Sequence, residues 1–317
     1  MAITLQQAKV AMSNKIDQNV IELFQRKSDI LNRMVFDDTI SPQGGSTLAY
    51  TYQQELTPSV AAGRAINSEY TPGEALRTTK TTNLKIFGGS YEIDRVIANT
   101  SAKQLDEVAY QSEKKVDATI NLFHYMLING NSEDNPLHFD GLDTLLTDTD
   151  NEVDGTAINL TSMDAEKGNA LINALDEAIA KCIRKPDMVI TSSKGKLKLQ
   201  EAARRVGYLT SSEDAFGKKV NFYDGIEIYE PGQYYNGSTL VDIVPTTGGK
   251  TDFYFVCFGQ EELVGLSPDG SKLVAVHLPN FAEAKAVHKG DVEAVWGIAL
   301  KNTKAAAVVR DVTVASA

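Results

Sequence analysis

The sequence predicts an α+β protein in which one long amphipathic helix is joined to a compact α/β region. Apolar residues recur at three- and four-residue steps from Gln104 to Asn129, which is the period of a helix with one buried face. Helix-like and strand-like stretches alternate between Asp164 and Val276, as they do in an α/β unit. Ahead of the helix, two strand-like stretches flank a connection rich in small residues, which indicates a long β-hairpin.

The composition is that of an acidic globular chain. Of its 317 residues 42% are hydrophobic, enough for a sizeable core, and the formal net charge is -11. Such a surface repels nucleic acid and anionic membranes on average. The first residues carry no secretory signal, and no apolar run approaches the ~18 residues that cross a membrane. We therefore expect a soluble, cytosol-made protein, with Cys182 and Cys257 as two buried thiols in a reducing compartment.

Two segments near the N-terminus carry too little apolar surface to form a core alone. Residues 3–36 predict a polar helical arm with a narrow apolar stripe, which we expect to lie on another surface. Residues 48–56 alternate apolar and polar side chains, and residues 76–97 form a Thr-rich, strand-like stretch. Together they predict a long two-stranded ribbon with a loose tip. A hairpin alone is marginally stable in water, so the ribbon also needs a surface to lie against.

The long helix carries signals at both ends. Ser101 and Gln104 have the spacing of a capping box, and Gly130 fits a left-handed residue that closes the last turn. A helix from Gln104 to Asn129 spans about 40 Å.

The remaining elements follow from end signals and turns. Asp164–Cys182 predicts a second helix, and a basic helix is closed by Gly207. The pair Asp224–Gly225 between apolar runs predicts a tight hairpin. The C-terminal residues predict two strands around a turn at Asn302.

The turn after the long helix is the most suggestive place for chemistry. Asp134, His138 and Asp140 could ligate a metal ion there. A single His with flexible carboxylates is a poor zinc site, however. The alternative is a helix end followed by a turn, with Phe139 and Leu142 returning the chain to a core, and we favour this interpretation.

Two other loops match ligand-binding motifs only in part. Residues 249–251 fit the end of a phosphate loop, but its first Gly is replaced by Val244, which favours a polar turn before a strand. Residues 150–155 resemble the start of a calcium loop, but the closing acid falls on Thr161, which favours an ordinary acidic loop.

No catalytic, cofactor-binding or metal-binding residue is assigned from the sequence. His124, His277 and His288 belong to no recognisable triad, and no nucleophile elbow, zinc helix or CxxC pair occurs. Lys194–Lys198 and Arg204–Arg205 form a basic helix face, for which an acidic partner subunit or solvent is favoured over nucleic acid. We expect a protein that is not an enzyme.

The order of these elements resembles the phage major capsid proteins of the HK97 fold. The resemblance covers essentially the whole chain. It is carried by residues 104–142, "QLDEVAYQSEKKVDATINLFHYMLINGNSEDNPLHFDGL", and by residues 292–312, "VEAVWGIALKNTKAAAVVRDV". The first stretch is similar to the family's spine helix and the turn after it, and the second to the terminal strands of its peripheral domain.

The resemblance implies a domain organisation. Residues 1–45 would be the N-terminal arm and residues 46–91 the extended loop, a β-hairpin. Residues 92–163 and 277–317 would form the peripheral domain, with the spine helix at 104–129, and residues 164–276 the axial α/β domain.

The resemblance also implies a function. The chain would be a structural subunit of an icosahedral phage capsid, self-assembling into hexamers and pentamers that enclose double-stranded DNA. It would be assembled in the host cytoplasm and located in the virion. Its partners would be itself, a separate scaffolding protein and a portal protein, with only weak nonspecific contact to DNA, no membrane and no cofactor.

Exchange of the arm and loop between neighbours would stabilise such a shell. The family's type member cross-links its loop through a Lys, but residues 59–72 contain Arg64 and no Lys, and Lys80 and Lys85 lie lower on the ribbon. We therefore predict noncovalent exchange. The alternatives are an encapsulin-like nanocompartment shell protein, or an α/β enzyme with a pocket in residues 164–276, which the absence of a nucleophile–base set disfavours.

Overall fold

Two large sheets and one long helix organise the described chain. The computed structural model describes residues 28–39, 48–57, 59–101, 107–207, 209–213, 219–270 and 274–316. The helices are α1 (Asp29–Arg33), α2 (Arg95–Ser101), α3 (Glu107–Asn129), α4 (Leu142–Leu146), α5 (Ala165–Lys181) and α6 (Ser193–Val206), and Thr303–Ala305 forms a 3-10 turn. The strands are β1 (Phe36–Asp38), β2 (Ala49–Thr57), β3 (Leu76–Asn83), β4 (Lys85–Asp94), β5 (Glu152–Asp154), β6 (Met188–Thr191), β7 (Leu209–Glu213), β8 (Lys219–Tyr223), β9 (Ile226–Tyr229), β10 (Gln233–Tyr235), β11 (Leu240–Asp242), β12 (Lys250–Val256), β13 (Leu263–Ser267), β14 (Ala275–His277), β15 (Val287–Leu300) and β16 (Ala306–Thr313).

The 14-residue strand β15 organises the first sheet. It pairs antiparallel with β4, from Val287 opposite Asp94 to Trp296 opposite Lys85. It also pairs antiparallel with β13 and β14, and β1 adds to β13 in parallel. The spine helix α3 contacts both β4 and β15. The sheet is therefore a platform that carries the helix.

Trp296 is the centre of an aromatic cluster between this sheet and α3. The side chain is 1% exposed. Its ring lies edge-on to Phe123 of α3 at 5.2 Å between centroids, to Phe87 of β4 at 5.9 Å and to Phe36 of β1 at 5.5 Å. Edge-to-face aromatic contacts add stabilisation to the burial of large apolar area. The cluster holds the long helix, the sheet and the N-terminal strand together.

The spine helix ends in a close contact between two glycines. It ends at Asn129, as predicted, while its predicted start at Gln104 lies outside the described residues. The prediction that Gly130 adopts the left-handed conformation is wrong, because the φ angle of Gly130 is not positive. The amide nitrogen of Gly141 instead donates to the Gly130 carbonyl oxygen at 2.8 Å. A Cβ on Gly130 would lie 2.1 Å from the Phe139 carbonyl oxygen, so glycine is needed for the close approach.

The central strands of the second sheet are buried on both faces. Within the described residues it contains seven strands in the order β5-β16-β12-β6-β9-β8-β7. Phe253 and Phe255 of β12 pack with α5 and α6 on one face. The alternate residues, Tyr254 and Val256, join the core that contains Trp296 on the other. Burial on both faces explains the near-continuous apolar run in β12.

Several local signals in the sequence are confirmed. The turn between β8 and β9 has Asp224 at φ 46 and Gly225 at φ 75, as a tight hairpin requires. Helix α6 is closed by Gly207 at φ 83. The side chain of Asn302 accepts a hydrogen bond from the backbone of Lys304 and so begins the predicted turn between the two last strands. Each signal depends on neighbouring residues alone.

Three strand pairings differ from the predicted domain limits. The predicted extended loop runs to residue 91, but β4 belongs to the first sheet, so the ribbon consists of β2 and β3 and ends at Asn83. The predicted peripheral domain includes 277–317, but β16 pairs with β12 in the second sheet. The predicted axial domain extends to residue 276, but β13 and β14 pair with β15. An alternating pattern identifies a strand but does not identify its partner.

Other elements differ in type from the prediction. Residues 95–101 are helical, although the sequence predicts a strand through residue 97. The last part of the predicted helical arm is the short helix α1 followed by the strand β1. The predicted acidic loop at 150–155 contains the strand β5. Residues 1–27 and 40–47 of the predicted arm and loop lie outside the described residues.

Replacing Phe123 with Ala removes the aromatic ring that joins α3 to Trp296. Because the side chain is 0% exposed, we expect the free energy of unfolding to fall by about 3–5 kcal/mol. Urea unfolding of the purified protein, followed by fluorescence of the single Trp, measures this loss. Leu137→Ala is the control, because Leu137 is 72% exposed and its loss costs less than about 0.5 kcal/mol. Equal stability of the two variants would contradict the packing described for Phe123.

Candidate functional site

The ribbon is a long and largely exposed feature of the described chain. Strands β2 and β3 pair antiparallel from Ala49 opposite Asn83 to Thr57 opposite Leu76. Residues 59–75 connect them and are exposed throughout. The ribbon pairs with no further strand among the described residues. It is therefore a two-stranded extension with a long tip.

The tip carries apolar side chains with no cover from the described chain. Ile66 is 91% exposed, Val60 74% and Tyr70 63%. The guanidinium of Arg64 lies over the Tyr70 ring at 5.4 Å and donates to the Ser68 carbonyl oxygen at 3.2 Å. These local contacts give the tip some order without burying its apolar residues. Three large apolar side chains exposed within one short segment make the tip a candidate interaction surface.

The base of the ribbon is held firmly on the first sheet. Tyr52 and Gln54 of β2 are 8% and 6% exposed. Tyr52 packs with Leu84, Val264 and other buried residues of this sheet. The Gln54 side-chain amide donates to the Leu300 carbonyl oxygen at 3.3 Å. The ribbon is thus fixed in direction at one end and uncovered at the other.

A polar cluster joins the ribbon base to the N-terminal strand and the end of β15. Asp37 accepts hydrogen bonds from Tyr50 at 2.8 Å and from Lys301 at 3.0 Å. The Lys301 ammonium also lies 5.1 Å from the centre of the Tyr50 ring. Burial opposes ionisation of Asp37, but the hydrogen bonds from Lys301 and Tyr50 outweigh it and lower its pKa. Asp37 and Lys301 lie too far apart in sequence for any pattern to join them, and sequence analysis missed the cluster.

The described part of the N-terminal arm packs on its own chain. Ile30 and Met34 are 0% exposed, and Phe36 contacts Trp296. Arg33 forms an ion pair with Glu227 of β9. For residues 28–39 this chain's own core supplies the surface that the arm needs, and exchange of the arm between neighbours stays a prediction.

The spine helix holds the arm through a buried histidine. The Ser28 hydroxyl, which caps α1, lies 2.7 Å from Nε2 of His124. His124 is 2% exposed, and within the described structure its Nδ1 has no hydrogen-bond partner. Burial lowers the pKa of His124 from 6.5 to about 4. The histidine is therefore neutral in the folded protein at neutral pH.

The acid-rich turn after the spine helix uses its polar groups internally. Asp140 accepts from the Ser132 backbone at 2.8 Å, and Asp134 accepts from Asn131 at 2.8 Å. His138 lies 3.2 Å from the Asn135 amide, and burial lowers its pKa. Phe139 is 2% and Leu142 0% exposed, which confirms them as anchors of the chain in the core. The turn is a junction between the spine helix and the second sheet.

One acid of the candidate loop at 150–155, Glu152, forms an ion pair with a partly buried arginine. Arg310 of β16 forms ion pairs with Glu152 of β5 and Asp143 of α4, and lies 3.6 Å from Asp252. Burial opposes the charge of Arg310, but hydrogen bonds to Asp143 and Glu152 raise its pKa. Burial raises the pKa of Asp252. These charges fasten β5 and α4 to the sheet.

The residues of the two other candidate sites, the loop at 249–251 and the basic helix α6, contact neighbouring residues of their own chain. Thr251 is 2% exposed and donates to the Ser192 hydroxyl oxygen at 2.9 Å, while Lys250 pairs with Asp311. On the basic helix α6, Glu201 pairs with both Lys198 and Arg205.

In the part of the chain that the structure describes, no group of three or more His, Cys, Asp or Glu side chains is placed to hold a metal ion. Among the same residues, no helix combines the length and apolar character needed to cross a membrane.

Solved structures share this architecture over the whole chain. The holo-SrpI encapsulin complex from Synechococcus elongatus aligns at a TM-score of 0.66 and 15% identity, covering 99% of both chains. A chain of Mycobacterium phage Bobi aligns at 0.62 and 11%, covering 98% of this chain and 99% of that one. The capsid of an empty GTA particle aligns at 0.59 and 11% over 100% of both chains. No protein-family model matches the sequence, and no curated protein matches it.

These likenesses define the class of fold. The chain has the HK97-type fold found in phage capsids and in an encapsulin shell, as the sequence resemblance implies. The exposed ribbon corresponds in chain order to the extended loop expected from that resemblance, with the shorter limits given above.

Replacing His124 with Gln tests the buried contact between arm and spine. The folded-state pKa of about 4 lies below that of the unfolded chain, so acidification protonates the unfolded state first and lowers stability. We expect wild-type stability to lose about 3 kcal/mol more than that of His124→Gln between about pH 7 and pH 4. Urea unfolding of the unassembled subunit across this range measures the difference.

His277→Gln is the matched control for this titration, because His277 is exposed. It should keep the wild-type pH dependence. Parallel pH profiles for wild type and His124→Gln would contradict the burial of a neutral histidine.

Proposed function

We propose that this chain is the structural subunit of an icosahedral phage capsid that encloses double-stranded DNA. It assembles into hexamers and pentamers, and the ribbon of each subunit lies on a neighbouring subunit. The observation that carries the proposal is a ribbon fixed at its base and left with an uncovered apolar tip, on a fold shared with shell-forming chains.

Anchoring at the base favours binding at the tip. A flexible segment loses conformational entropy when it docks, whereas a preorganised one loses less. Tyr52 and Gln54 are already buried in their own subunit. The ion pair between Asp37 of β1 and Lys301, which follows β15, holds β1 next to the ribbon base. Docking of the tip therefore buries Val60, Ile66 and Tyr70 with only a small additional loss of conformational entropy.

The exposed ribbon supports the proposed exchange between subunits. Residues 28–39 are packed in their own core, so exchange of the arm, the second part of this proposal, would use its other residues. Contacts of the ribbon are noncovalent, because Arg64 is the basic residue of the tip and Lys85 donates to the Pro136 carbonyl oxygen of its own chain at 2.8 Å.

Charge limits the contact with the enclosed DNA. A formal net charge of -11 disfavours tight binding to phosphates. Packaged DNA thus stays free to move inside the shell. A separate scaffolding protein directs assembly in the host cytoplasm, a portal protein completes the shell, and the mature subunit resides in the virion.

An encapsulin-like nanocompartment is the second candidate. It is supported by the alignment with the encapsulin complex over 99% of both chains. The two candidates share the fold and the use of the ribbon, and they differ in contents. Purified particles that contain DNA support the capsid, and particles that contain a folded protein cargo support the nanocompartment.

Electron microscopy of the purified protein, alone and with a candidate scaffolding protein, tests the shell function. We expect uniform shells or tubes. A protein that stays monomeric under both conditions would contradict the proposal.

Deleting Ala61–Thr71 tests the ribbon. The deleted residues contact solvent in the isolated chain, so the subunit should keep its circular dichroism spectrum and urea midpoint while losing the ability to form stable shells. The double variant Ile66→Ser/Tyr70→Ser, with a ribbon of full length, should assemble at a clearly higher protein concentration than wild type. Light scattering and negative-stain microscopy measure both effects.

Glu69→Gln/Glu74→Gln is the matched control, because it changes two exposed polar residues of the same tip. It should assemble like wild type. Normal shells from the deletion variant would exclude the tip as a contact between subunits.

A further inference from the structure

The two cysteines, distant in sequence, meet where the second sheet joins α5. Cys182 is the C-cap of α5, and Cys257 follows the last residue of β12. Cys257 is 0% exposed, as expected for a buried thiol, but Cys182 is only partly buried. Cys182 packs against the core cluster that contains Cys257, and each thiol shifts the pKa of the other. The sequence gives no signal for this contact, because helical and strand patterns do not reveal which ends meet.

Backbone contacts hold the two segments side by side. The Asp187 amide donates to the Val256 carbonyl oxygen at 2.9 Å, and the Phe258 amide donates to the Asp187 carboxylate at 2.8 Å. Arg184 donates to the Phe258 carbonyl oxygen at 3.1 Å. The segment that links α5 to β6 therefore runs along the end of β12. Cys182 lies on the linking segment, and Cys257 lies at the end of β12.

The 3-10 turn at Thr303–Ala305 accepts a backbone hydrogen bond from each of the two segments. The amide of Ile183 donates to the Lys304 carbonyl oxygen at 2.8 Å, and that of Cys257 donates to the Ala305 carbonyl oxygen at 2.8 Å. In the reduced protein, the sulfur of Cys182 lies 3.4 Å from the Ala178 carbonyl oxygen and that of Cys257 lies 3.7 Å from the Arg184 carbonyl oxygen. Neither bond holds a thiol strongly, since sulfur is a weak donor.

We propose that Cys182 and Cys257 are an oxidative modification site, at which hydrogen peroxide converts the two thiols into one intramolecular disulfide. The proposal concerns the folded subunit and does not depend on the shell function. Its basis is the packing of Cys182 against the cluster that contains Cys257, the backbone bonds that keep the two segments together, and the partial exposure of Cys182, which opens the pair to a molecule as small as peroxide.

The chemistry balances in two steps. The Cys257 thiolate attacks one peroxide oxygen, the O–O bond breaks, and the departing hydroxide takes up the proton lost by Cys257 as water. The resulting sulfenic acid is then attacked at sulfur by Cys182. The S–O bond breaks, and the hydroxyl leaves as water with the Cys182 proton. Peroxide gains two electrons and becomes two waters, and two thiols become one disulfide.

The surroundings make Cys257 the first nucleophile. The hydrogen bond with Cys182 and the positive charge of Arg184 lower the pKa of Cys257, although burial acts in the opposite direction. The same hydrogen bond, together with burial, raises the pKa of Cys182. Thiolate is the reactive form of cysteine, so the first attack falls to Cys257 and the second to its neighbour.

The disulfide ties α5 to the strand β12. A cross-link between segments distant in sequence restricts the unfolded chain, and one between segments already in contact strains the native state little. Oxidised protein should therefore unfold at a higher urea concentration than reduced protein.

Peroxide titration of the purified full-length chain tests the proposal. Free thiols are counted after denaturation, and the intact mass and peptide map are recorded by mass spectrometry. We expect both thiols to disappear together at a roughly equimolar amount of peroxide. The mass should fall by two hydrogen atoms, and a peptide pair joined through Cys182 and Cys257 should appear. Dithiothreitol should reverse all of these changes.

The variants Cys182→Ser and Cys257→Ser are matched controls that keep the size of each side chain. Each should keep its single thiol free of intramolecular cross-links, and neither should gain urea resistance on oxidation. Three results on the wild-type protein would overturn the proposal. These are two thiols that survive equimolar peroxide, stepwise oxygen addition to one cysteine with the other still free, and covalent dimers in place of the internal cross-link.

Discussion

The burial of Trp296 against Phe123 is the contact on which the rest of the architecture depends. Trp296 lies on β15, the strand to which β4, β13 and β14 all pair. Phe123 lies on the spine helix, whose end leads through a glycine contact into the second sheet. Removing this contact separates the helix from its platform. The other contacts that α3 makes with the chain, among them the glycine contact at its end, then lose the fixed helix position on which they depend.

The same sheet explains why the base of the ribbon is buried while its tip is exposed. The end of β15 supplies the Leu300 carbonyl and the adjacent Lys301 that hold the ribbon base. Beyond that base, Ile66 and Tyr70 have no cover from the described chain. A rigid base with an uncovered tip is poorly suited to a monomer and well suited to reaching a second subunit. The arm shows the opposite arrangement, because its described residues complete their own core.

Local chemistry could be predicted from the sequence, and long-range partnership could not. The end of the spine helix at Asn129, the turn at Asp224–Gly225 and the burial of Phe139 each follow from neighbouring residues. The strand β16 could be recognised as a strand, but its apolar run gives no sign that it crosses to the second sheet. The clusters around Asp37 and Arg310 join charges far apart in sequence. Only the fold brings such groups together.

Single-particle microscopy of the assembled wild-type protein tests the central claim most directly. The map should place Ile66 and Tyr70 of each ribbon against the surface of an adjacent subunit, with Tyr52 still buried in its own. A ribbon folded back onto its own subunit, or a tip surrounded by solvent in the finished particle, would contradict it.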